Sequence, residues 1–142
     1  MRKLAKINEI YTDSFNVRLP ISECPFVEFA KEFLENPIID LSHSKYAMWL
    51  KEQFKINGFV WNSIKSEDDI MHRVVEFRNI IHSIKRYGYK EELAHPLYVR
   101  DGKIYGTMTA QIIDEGYLLI DAHHRVSILI AMGVQEFNLT IL

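Results

Sequence analysis

The segment YLLIDAHHRVSILIAMG, Tyr117 to Gly133, constrains this chain more than any other stretch. YLLID is a short β-prone apolar run and reads as a fully buried strand. RVSILIAMG is apolar almost all round and reads as a short helix stopped by Gly133. Two consecutive elements without a polar face need cover on every side, so the chain must build a sheet with helices packed on it. Between them stand Asp121, His123, His124 and Arg125, four polar residues where the pattern otherwise demands core.

The remaining elements fit the same architecture. FNVRLPI (Phe15–Ile21) alternates apolar and polar residues as a half-buried strand does, and Pro20 places it at an edge or a strand end. In PFVEFAKEFLEN, Phe26, Phe29, Ala30, Phe33 and Leu34 fall on one helical face, with Pro25 in the first turn and Asn36-Pro37 as the stop. A second helix is expected after Ser42, carrying Tyr46, Trp49, Leu50 and Phe54 and closed by Asn57-Gly58. The clearest helix is EDDIMHRVVEFRNIIHSIKRYGY, in which Ile70, Val74, Phe77, Ile81 and Ile84 recur at three and four. Its acidic start and basic end match the helix dipole. PLYVRDGKIY carries an Asp101-Gly102 hairpin turn, and EFNLTIL reads as a final strand. The expected fold is therefore α+β, a small mixed sheet with packed helices in one domain spanning 1–142.

At 142 residues and 48% hydrophobic, the chain is long enough to bury one substantial core. A net charge of −2 gives no strongly basic nucleic-acid footprint. The single cysteine, Cys24, excludes an internal disulfide and any cysteine-only metal site. No apolar run reaches the roughly 20 residues of a membrane span, and the N-terminus lacks a signal-peptide pattern, so the expected setting is cytoplasmic, with no membrane partner.

A strand-to-helix junction presents backbone N–H groups and the positive end of the helix dipole, which suits an anion. Arg125 adds a forked, permanently charged donor, and histidines donate to phosphate oxygens or move protons near neutral pH. Asp121 is equipped to orient a histidine, accept a hydroxyl proton or position a metal ion. The competing reading makes Asp121 the helix N-cap and the histidines surface turn residues.

The Asp-Ala-His-His-Arg stretch, its apolar helix and Gly133 resemble the signature of the ParB/sulfiredoxin-like superfamily, one branch of which reads Asp-Gly-His-His-Arg. The resemblance extends upstream through IIHSIKRYGY, HPLYVRDGKIY and YLLIDAHHRVSILIAMGVQEFNLTIL, about the last half of the chain. NVRLPISECP is a weaker match to the family's first strand, and about 26–69 stands as a helical insertion or variant layer. Sulfiredoxin carries its catalytic cysteine where this chain has His123. The chromosome-partition branch carries a glutamate and arginines there for CTP, with a following helix-turn-helix domain. The double-histidine form is most similar to the free serine kinases.

That resemblance implies a nucleotide-binding protein, an ATP-dependent kinase phosphorylating a small hydroxylated metabolite, with ATP or another nucleotide and Mg²⁺. It places Asp121 near the acceptor hydroxyl or the metal, and His123, His124 and Arg125 on the transferring phosphates. His124 counts among the catalytic residues, and Val126 and Ser127 complete the nucleotide-binding turn. Ser127 equally reads as a tolerated small polar residue. The kinases' upstream glutamate, their catalytic base, corresponds to Glu28, with Glu23 a close competitor. Ala122 departs from the glycine of the motif, so the turn must accept a Cβ, with strain if φ is positive.

SHSKYAMW places His43, Ser44, Lys45 and Tyr46 at a helix start, where His43, Ser44 and Tyr46 are candidates for substrate binding; capping plus an amphipathic face is the alternative. His72 and His82 are expected on the surface, and His95 either near the motif strand or in a plain loop. Arg73, Arg78, Lys85 and Arg86 form a basic stripe, ordinarily a solvated face. No zinc-type set is expected. The alternative functions are a non-catalytic nucleotide- or anion-binding regulatory module and, third, a DNA-associated protein or nuclease.

Overall fold

In a computed structural model, residues 2–14, 17–61, 63–90, 97–120 and 122–142 are described. The chain forms β1 (Arg2–Lys6), β2 (Ile10–Ser14), β3 (Val17–Pro20), α1 (Pro25–Glu35), α2 (Lys45–Asn57), α3 (Glu67–Tyr87), β4 (Tyr89–Lys90), β5 (Tyr98–Arg100), β6 (Lys103–Tyr105), β7 (Met108–Ile113), β8 (Gly116–Leu119), α4 (His123–Ala131) and β9 (Glu136–Ile141). This is the α+β architecture expected, with two sheets in place of one. Among the described residues the larger has six strands in the order β1-β9-β7-β8-β2-β3, and the smaller three in the order β4-β6-β5.

The helices form where spacing and capping direct them. Pro25 opens α1, whose Phe26, Val27, Phe29, Ala30 and Phe33 are buried. Ser44, two residues later than expected, caps α2, and Gly58 ends it in the left-handed region at φ 76°. Ser66 caps α3, which buries the five apolar residues that the periodicity selects. At the hairpin, Asp101 and Gly102 both take positive φ, as a tight two-residue turn between twisted strands requires.

The large sheet positions the site. β2 runs parallel to β8, with Ile10 opposite Tyr117 and Tyr11 opposite Leu118. Both strands therefore end at the same edge, and α4 begins immediately beyond β8. In open sheets this carboxyl edge of parallel strands is where ligands are held. Strands β1, β2 and β7 carry no alternation strong enough to be expected from sequence, yet they supply half of this sheet. The helical stretch expected as an insertion contains α1 and α2, and α1 packs directly on α4. Helix α4 starts at His123 rather than Arg125, drawing both histidines into its first turn.

Candidate functional site

A cleft of about 1110 Å³ opens at this edge. Thr12 and Asp13 from β2 and Arg18 from β3 line its sheet side, with Cys24 and Phe26 from the start of α1. Trp61 and the α3 residues Arg73, Glu76, Phe77 and Ile80 form the opposite wall, and Ala122, His123, His124 and Arg125 close the end. Ala122 occupies the N-cap position of α4 at φ 60°, ψ 35°, with no side-chain cap bond. The helix thus begins from a left-handed alanine, a conformation costing an L-residue roughly 1–2 kcal/mol. The N-cap role weighed for Asp121 belongs to Ala122; Asp121 itself lies outside the described residues, as does His95.

His124 is the centre of an aromatic cluster. Its ring lies 4.2 Å from Phe26 at an interplanar angle of 33°, and Phe77, Trp61 and Tyr46 surround it at 5.5–6.0 Å. The Tyr46 hydroxyl is hydrogen-bonded to its Nε2 at 3.1 Å. Burial, together with the positive charges of Arg73, His123 and Arg125, lowers its pKa to about 4. At neutral pH the ring is therefore uncharged, so it serves as a hydrogen-bonding and stacking group and adds no positive charge toward a phosphate. Burial raises the Tyr46 pKa, which keeps that hydroxyl protonated.

The other expected site residues divide. His123 lines the cleft. Arg125 also lines it, but its Nη1 donates to the Leu97 carbonyl at 2.7 Å, tying α4 to the segment entering β5. Val126 and Ser127 are fully buried beneath the turn, the Ser127 hydroxyl lying 4.0 Å from the Cys24 sulfur. Ser44 caps α2, accepting from the Ala47 N–H and donating to the Leu41 carbonyl, so its hydroxyl is committed to the backbone. His43 is exposed against Asp40. Glu28 is exposed and paired with Lys45 at 3.1 Å, and neither it nor Glu23 lines the cleft. Of the substrate candidates, Tyr46 alone reaches the site, through His124.

Several cleft residues escaped sequence reasoning. Arg73, expected on a solvated stripe, turns inward: its guanidinium lies 5.5 Å from the Trp61 ring centre, and its Nη2 donates to Ser63 Oγ at 2.7 Å. Trp61 itself stands at φ 52°, in a turn closed by the Val60–Ile64 bridge. A bulky residue there carries strain of about 1–3 kcal/mol. Thr12 is fully buried, and its hydroxyl has no partner among the described residues. The signal for Trp61 was latent in VWNSIK, a turn-like break between helices, whereas Thr12 and Arg73 carry none. His72 is exposed as expected; His82 is instead half-buried, with burial lowering its pKa.

Arg18 is held by Asp13 at 3.0 Å, which leaves Glu76, among the described residues, as the cleft carboxylate outside that pair. Among the described residues no group of three His, Cys, Asp or Glu is arranged to hold a metal ion, and no helix is long and apolar enough to cross a membrane. Neither protein-family models, nor curated proteins, nor solved structures show a match to this chain.

Proposed function

We propose that the cleft binds a nucleotide and that the protein is an ATP-dependent kinase of a small hydroxylated metabolite, of ParB/sulfiredoxin-like kind and acting in the cytoplasm. The observation that carries this reading is the convergence of the α4 N-terminus, His123, Arg125, Arg18 and Arg73 on one cleft, beside an aromatic wall. Its volume, about 1110 Å³, lies just above the usual span of small-molecule sites, roughly 300–1000 Å³. That is room for a nucleotide together with an acceptor. Phosphoryl transfer asks a protein mainly for positioning and charge neutralisation, which a dipole end and arginines supply. In the transfer the bond from the γ-phosphorus to its bridging oxygen breaks, the acceptor oxygen bonds to that phosphorus, and the hydroxyl proton leaves to a base. Glu76 is the base candidate within the cleft, in place of Glu28. Magnesium would enter with the phosphates, since it is typically bound through one or two carboxylates plus phosphate oxygens.

A second reading, a nucleotide- or anion-binding regulatory module, is favoured by the placement of Glu28 on Lys45 and by the neutral, tyrosine-bound state of His124. Incubation with ATP, Mg²⁺ and a panel of hydroxyl compounds, followed by ADP release, decides between them. Turnover that is lost in Glu76→Gln supports the kinase. Nucleotide binding without turnover, unaffected by Asp121→Asn, selects the regulatory module. A folded protein that binds neither nucleotide nor inorganic phosphate overturns both.

A further inference from the structure

We propose that Arg73 is the phosphate-gripping arginine of the cleft, preset by the Trp61 turn, and that the Thr12 hydroxyl meets the same ligand from the sheet side. This rests on reading the cleft as a phosphate site, but not on ATP or on transfer. Two features of Arg73 set it apart from the other cations there. Arg18 is paired with the Asp13 carboxylate, and Arg125 directs a guanidinium N–H to the Leu97 carbonyl, which is not part of the cleft lining. Arg73 is held by a ring face and a hydroxyl, neither of which neutralises it. A guanidinium has five N–H donors, and Ser63 takes one.

The holding arrangement is itself strained. Trp61 sits at φ 52° so that its ring can lie against Phe26 and Trp49 while supporting Arg73. Strain of that kind persists where the surroundings over-determine it, and it clusters at ligand clamps. The guanidinium, over the Trp61 ring and bonded to Ser63, is thereby oriented before a ligand arrives, which lowers the ordering cost of binding.

Thr12 provides the independent observation. It is 0% exposed, it lines the cleft, and its hydroxyl has no partner among the described residues. Buried hydroxyls are nearly always hydrogen-bonded, so an orphan at a ligand site calls for a partner from outside the protein. An anion seated at the α4 N-terminus brings acceptor oxygens to that edge, where β2 ends.

The test is calorimetric titration of the full chain with inorganic pyrophosphate, with circular dichroism to confirm folding. Arg73→Gln is expected to weaken binding at least about tenfold. Arg73→Lys falls between it and wild type, because charge is kept and the fork is lost. Thr12→Val is expected to weaken binding about threefold or more without lowering the melting temperature, since an unsatisfied hydroxyl is removed. Arg78→Gln, which removes a charge from the same helix outside the cleft, leaves binding unchanged. Equal affinity in wild type and both Arg73 variants overturns the role of Arg73, and equal affinity in Thr12→Val overturns that of Thr12. Wild type that does not bind pyrophosphate overturns both. Weakened pyrophosphate binding in a protein without ATP turnover upholds this inference while removing the kinase. ATP turnover equal in wild type and Arg73→Gln does the reverse.

Discussion

Ala122 shows how a single residue sets the site. A left-handed backbone at the last position before α4 turns the chain sharply enough to aim the helix N-terminus into the cleft. Glycine adopts φ 60° without the Cβ penalty, so alanine holds the turn at a cost in stability. Ala122→Gly should raise stability by about 1 kcal/mol, a melting shift of roughly 3 °C, with the binding proposed for the cleft retained; differential scanning calorimetry reads the first and titration the second. A lower melting temperature would show that the alanine methyl packs usefully. That an alanine precedes the two histidines was plain in the sequence. The positive φ was not, because it follows from where β8 ends and α4 must begin.

At the scale of elements, the site depends on β2 and β8 lying side by side and ending together. Gly116 opens β8 at φ 152°, and a Cβ built there would stand 2.3 Å from the Glu9 carbonyl oxygen, in the turn that leads into β2. Backbone cannot yield as a flexible side chain does. Gly116→Ala should therefore destabilise the fold by about 2 kcal/mol, seen as a lower urea midpoint with an unchanged slope. It should also weaken ligand binding, because Thr12 and Asp13 follow on the same strand. The helices were legible in sequence, with α1, α2 and α3 and their apolar faces following from spacing, Pro25, Gly58 and Gly88. β1, β2 and β7 were not, since short strands acquire their identity from their neighbours. Arg125 illustrates the same limit: its position in the motif was evident, its bond to Leu97, 28 residues away, was not.

For the whole molecule, the aromatic cluster joining α1, α2, α3 and the start of α4 ties acid stability to one residue. His124 has a folded pKa of about 4 against roughly 6.5 in an unfolded chain, so the unfolded state binds more protons between those values. Its contribution is complete above about pH 6.5 and is lost as pH falls toward 4, on the order of 3 kcal/mol in all. Urea unfolding across that range should show His124→Gln losing less stability than wild type; parallel losses would mean that the ring titrates normally. The sequence alone determined the α+β class, the three long helices and the polar junction Asp121–Arg125, because periodicity, capping and turn chemistry are local. Which polar residues face the cleft was decided only by the tertiary structure. Glu28 was drawn to Lys45, His124 was neutralised among rings, and Arg73 was turned inward onto Trp61. Each of these outcomes depends on burial or on partners distant in sequence, which no local pattern encodes.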